Sequence, residues 1–129
     1  MKIEFANIDI PYMEFLIHDI VSEADRDKIV AAAKYAITLT AVWYGTELLC
    51  VYALIPTTLL SDQAYIWMFW TEAITRHKLV FARRAKRLTK ELLGRYSTIV
   101  GHCTRPESQP WLISVGATFR SPTEFVISR

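Results

Sequence analysis

The stretch from Ala64 to Tyr96 constrains the fold of this chain more than any other. Residues 64–70, Ala-Tyr-Ile-Trp-Met-Phe-Trp, form an unbroken apolar and aromatic run. A run of that length suits a strand buried on both faces and is too short for a buried helix or a membrane span. Thr71 to Thr75 then turn into a basic segment, Arg76 to Tyr96. Within it Phe81, Ala85, Leu88, Leu92 and Tyr96 recur at steps of three and four, which makes one stripe on a helix of 3.6-residue period. Arg83, Lys86, Arg87 and Lys90 fall on the opposite side. A core strand feeding an amphipathic helix is therefore the expected organising unit.

With 129 residues and no long polar or Pro/Gly-rich linker, the chain is expected to form a single domain over 1–129 with one sizeable core. A hydrophobic fraction of 52% excludes a disordered polymer. The formal charge of +2 is too small to mark a nucleic-acid binder, although the basic residues concentrate between Arg76 and Tyr96. Cys50 and Cys103 each sit in an apolar run and read as reduced, buried thiols of a cytosolic protein. A disulfide between neighbouring core strands is the alternative. Met1 to Phe5 does not read as a secretory signal, and no stretch has the length of apolar residues that a transmembrane helix needs. No membrane association is expected.

Along the chain, Lys2 to Phe5 reads as a short strand and Pro11 to Ile17 as a helix with proline at its start. Ser22-Glu23-Ala24-Asp25 has the capping-box pattern, and the helix from Glu23 to Lys34 is expected to bury Ile29, Val30 and Ala33. From Tyr35 the composition turns β-branched and aromatic. Gly45-Thr46 divides this region into a hairpin whose second strand, Glu47 to Ile55, ends at Pro56. With a loop over Thr57 to Gln63 and the 64–70 strand, this makes a three-strand antiparallel meander. After the basic helix, Ser97 to Cys103 reads as a strand parallel to 64–70, reached by a right-handed crossover. Arg105 to Pro110 opens a short helix, Trp111 to Val115, stopped by Gly116, and residues 117–128 supply a last strand or hairpin. The expectation is an α+β fold with a mixed sheet of six to seven strands.

The turn before the basic helix is the first candidate site. Arg76, His77 and Lys78 lie where a helix presents a positive dipole and free N–H groups, so they oppose the fold unless an anion sits there. The alternative is a set of solvated side chains with Glu72 as partial counterion. The face formed by Arg83, Lys86, Arg87 and Lys90 reads first as a solvated helix surface and next as a contact for an acidic protein partner; it lacks the interleaved aromatics of a nucleic-acid surface. His18, His77 and His102 share no metal-ligand spacing with the cysteines, so no metal is expected.

The order of elements resembles the GCN5-related N-acetyltransferases: two helices, a meander, a long helix, a parallel strand, a short helix ending in Gly116-Ala117-Thr118-Phe119, and a closing strand. The resemblance implies an acyl-CoA N-acyltransferase fold with helices on both faces of the sheet. It also implies acetyl-CoA in the V between residues 64–70 and Thr98 to Cys103, with its pyrophosphate at the start of the long helix. Trp70, Thr71, Arg76, His77 and Lys78 are the cofactor-binding candidates on that reading. The family's phosphate motif, Gln/Arg-x-x-Gly-x-Gly/Ala, is broken here, because Leu79 and Phe81 stand where small residues belong. The usual tyrosine acid is absent from the short helix, and Glu47 or Glu72 is assigned no catalytic role. Residues 64–120 further resemble acetyltransferase-like proteins of tailed phages, including the internal virion assembly protein of short-tailed phages. That narrower resemblance implies a role in the virion or host cytoplasm with phage structural proteins as partners, and no cofactor. A divergent, acetyl-CoA-dependent N-acyltransferase is the alternative.

Overall fold

The structure, a computed structural model, describes residues 2–18, 21–57, 62–103 and 109–128; residues 58–61 of the expected loop, Arg105 to Ser108 of the segment expected to open the short helix, and the Trp111 side chain lie outside the described residues. The β-branched and aromatic runs supply seven strands: β1 (Ile3–Asn7), β2 (Thr38–Tyr44), β3 (Glu47–Pro56), β4 (Gln63–Trp70), β5 (Thr98–His102), β6 (Ala117–Phe119) and β7 (Glu124–Ser128). They form one mixed sheet in the order β1-β2-β3-β4-β5-β7-β6. β2, β3 and β4 are the expected antiparallel meander, and β4 with β5 is its parallel pair. Gly45 turns the β2–β3 hairpin at φ 62°, a left-handed conformation that glycine reaches without a Cβ clash.

Helices cover both faces. On one side, α1 (Ile10–Ile17) is capped by Asp9, whose side chain accepts from the Tyr12 amide at 2.9 Å. α2 (Glu23–Ala33) is capped by Ser22, which accepts from the Asp25 amide at 3.3 Å. Met13, Ile17, Ile29 and Ala33 from these helices pack on Ala41 and Val51. The other face takes α4 (Lys78–Arg95), through Phe81, Ala85 and Leu92, and α5 (Gln109–Ser114), through Leu112. β4 lies between the two layers, so Ala64, Ile66 and Trp70 face α4 while Trp67 and Phe69 face α1 and α2. Its unbroken apolar run follows from that double covering.

Two departures from sequence expectation shape the site. The register of β2 against β3 shifts from Val42↔Cys50 to Trp43↔Leu48, which leaves Leu49 as an extra, bulged residue. Leu49 and Cys50, adjacent in sequence, therefore both enter the α4-side core. The basic helix is also divided: α3 (Ala73–Arg76) makes one turn, His77 leaves helical geometry at φ −125° and ψ 33°, and α4 begins at Lys78 instead of Arg76. The apolar stripe begins at Phe81, after this point, so the periodicity carries no mark of the break. Contacts to the His77 side chain from the β2–β3 hairpin hold it there.

Smaller differences have local causes. β2 begins at Thr38 instead of Tyr35, because Tyr35 and Ala36 bond back to Ala32 and Ala33 in the last turn of α2. β3 runs through Pro56, which at the strand's last position has no ladder donor to lose.

Candidate functional site

β4 stays paired with β3 from Ala64 to Trp70, but with β5 only from Gln63↔Thr98 to Ile66↔Gly101. Beyond Gly101 the parallel strands part. A Cβ on Gly101 would lie 2.5 Å from Phe125 Cζ and 3.0 Å from Ile66 Cγ2, so the bare glycine lets the buried Phe125 ring close the α4 side of the opening. On the opposite side the Tyr65 and His102 rings stand 5.9 Å apart. Glu124 is the register partner of His102. Burial, and then the charge of Glu124, push the Tyr65 hydroxyl above its ordinary pKa. Sequence spacing did not bring Tyr65, His102 and Glu124 together, because they come from three strands.

The junction after β4 is organised by Glu47. This residue opens β3, and β3 runs antiparallel to β4, so it lies beside the residues that follow Trp70. Arg76 donates to Glu47 Oε2, and His77 Nε2 lies 3.3 Å from Glu47 Oε1. The Tyr44 ring covers the His77 ring with centroids 4.4 Å apart. Hydrogen bonds from Arg76 and then His77 hold the Glu47 carboxyl below its ordinary pKa. The counterion expected at Glu72 is thus supplied by Glu47.

The five junction candidates have different surroundings. Trp70 is buried in the core. Thr71 donates its hydroxyl to the carbonyls of Leu48 and Leu49 at the bulge and accepts from the Ala73 amide at 3.3 Å. Arg76 and His77 share Glu47, and Lys78 is exposed at the first residue of α4. The amides of the first helical turn, Lys78 to Val80, are those an α-helix leaves without internal acceptors. Leu79 is 80% exposed beside them, whereas Phe81 is 5% exposed and turned into the core. The departure from the small-residue pattern therefore obstructs this helix end at Leu79, not at Phe81. A pyrophosphate cradle needs bare backbone at that point, and the residues present do not provide it. Among the described residues no group of three or more His, Cys, Asp or Glu side chains could hold a metal ion.

No protein-family model and no curated protein matches the chain. Solved structures do. A spermidine N-acetyltransferase SpeG chimera from Vibrio cholerae and hSSAT superposes with a TM-score of 0.67 at 10% identity, covering 99% of this chain and 96% of that one. The IAA acetyltransferase of Bacillus cereus gives 0.70 at 8% identity, with 99% and 100% covered. RimL, a ribosomal L7/L12 alpha-N-protein acetyltransferase, gives 0.64 at 13% identity, with 100% and 90% covered. The chain has the acyl-CoA N-acyltransferase fold of the GCN5-related N-acetyltransferases. At these identities the likeness is one of fold.

Proposed function

We propose that this chain is a phage-encoded virion assembly protein or minor virion component that uses the acetyltransferase fold as a scaffold for protein contacts. The observation that carries this reading is the junction: Arg76 and His77 are engaged by Glu47, and the exposed Leu79 occupies a position in the first turn where a cofactor phosphate would need bare backbone. The similarity of residues 64–120 to acetyltransferase-like phage proteins supports the setting. Its partners are phage structural proteins or another acidic protein, met by the exposed Arg83, Lys86, Arg87 and Lys90 of α4. No cofactor takes part on this reading. Thermal denaturation with and without acetyl-CoA tests it. A ligand at a hundred times its Kd that binds only the native state adds about 2.7 kcal/mol, so an unchanged midpoint is the expected result. Micromolar acetyl-CoA binding by calorimetry, together with turnover on any amine, overturns it.

A second reading, a divergent acetyl-CoA-dependent N-acyltransferase, draws on the Tyr65–His102 pair at the mouth of the parting strands and on the cations at Arg76 to Lys78. If it is correct, replacing Arg76, His77 and Lys78 together by Ala abolishes cofactor binding.

A further inference from the structure

The α4 face of the sheet is apolar except at one corner. There a cavity of about 240 Å3 opens between β1, β2, β3 and α4, with the polar side chains of Asn7, Thr38, Thr40, Tyr52, Arg84 and Glu91 on its wall. Thr40 lies two residues before Val42 on β2 and so shares its α4-facing side. It is 3% exposed, and its hydroxyl, which lies near enough to the Tyr52 hydroxyl to interact with it, makes no hydrogen bond of normal geometry. A valine would fill the same space without a stranded hydroxyl. Tyr52, the cross-strand partner of Thr40, is likewise buried and borders the same cavity.

The helix meets this polar corner with two opposite charges. Arg84, Leu88 and Glu91 form one stripe at i, i+4 and i+7, with Arg84 and Glu91 about 10 Å apart along the axis at 1.5 Å per residue. The Arg84 guanidinium is held 5.0 Å over the Phe5 ring. Neither Arg84 nor Glu91 has an ion-pair partner among the described residues. The result is a separated cation and anion above a row of hydroxyls, in a cavity that lies away from the β4–α4 junction.

We propose that this cavity binds a small zwitterion with separated charges, of the ω-amino acid class. Its carboxylate meets Arg84, its ammonium meets Glu91, its methylenes lie along Leu88, and the Thr40 and Tyr52 hydroxyls add hydrogen bonds to the charged ends. Water occupies about 30 Å3 per molecule in the liquid, so the cavity has the room of roughly eight water molecules. A five-carbon ω-amino acid fits within that space.

Titration of the isotope-labelled full chain by NMR, with 5-aminopentanoate, glutarate and cadaverine as separate probes, tests the proposal. These three share a chain length and differ only in their end charges. The expected result is saturable shifts at Thr40, Tyr52, Arg84 and Glu91 with 5-aminopentanoate, at least tenfold tighter than with either control. Arg84→Gln and Glu91→Gln each weaken binding at least tenfold, and Lys90→Gln leaves it unchanged. Thr40→Val melts at or above the wild-type temperature and still loses affinity. The proposal is overturned by no saturable shift at millimolar probe, by equal binding of all three probes, or by wild-type affinity in Arg84→Gln. None of these outcomes depends on whether acetyl-CoA binds.

Discussion

Glu47 pairs with Arg76 and His77 at once, and its effect on stability has a definite pH dependence. Hydrogen bonds from Arg76 and then His77 favour its ionised form, so its folded-state pKa lies below the ordinary 4.5. The stabilisation is complete above pH 4.5 and is lost as pH falls through the lower folded-state value. Wild type should therefore melt above Glu47→Gln at neutral pH, and the two melting curves should converge in acid; a gap that persists in acid would remove the carboxylate from this role. Gly101 acts through its missing side chain. The Cβ of Gly101→Ala would collide with the Phe125 ring, which is enclosed by the core and cannot swing clear. A loss of about 1–3 kcal/mol in urea denaturation is expected from such overpacking, with part recovered in a Gly101→Ala, Phe125→Leu double variant.

At the level of elements, α4 separates two positions that one motif comparison placed together. Phe81 packs into the sheet's core from the first turn of the helix, and Leu79 projects into solvent. Phe81→Ala should cost about 3–5 kcal/mol, as large core truncations do, while Leu79→Ala should stay within roughly 0.5 kcal/mol of wild type. Equal effects in denaturant titrations would show that the helix face is assigned wrongly. The β3 bulge has a comparable role on the strand side. It turns Leu49 and Cys50 together into the core, and the carbonyls of Leu48 and Leu49 accept the Thr71 hydroxyl. The β4–α3 turn is thereby tied to a strand more than twenty residues earlier.

For the molecule as a whole, β4 lies between the strands that position the two cysteines. Cys50 on β3 and Cys103 just after β5 share the α4-side core without being on neighbouring strands, which removes the disulfide alternative. Burial also pushes the Cys50 thiol strongly up, so little thiolate is available to react. Both thiols should resist an aromatic disulfide reagent in the native protein and react together on denaturation. Rapid native labelling of either would contradict the burial described. Among the described residues no helix is long and apolar enough to cross a membrane.

The sequence by itself determined the elements whose signals are local. These are the strand at 64–70 from its apolar run, the buried stripe from Phe81 to Tyr96, the cap at Ser22, and the hairpin at Gly45. Each depends on residues within a few positions of one another, where periodicity and turn chemistry operate. Only the tertiary structure decided that His77 breaks the helix, that Glu47 takes Arg76, and that Tyr65 meets His102. It alone placed Thr40 and Tyr52 beneath Arg84 and Glu91. Those groupings follow from register between strands and helices distant in sequence, and a single bulged residue, Leu49, changes which side chains share a face.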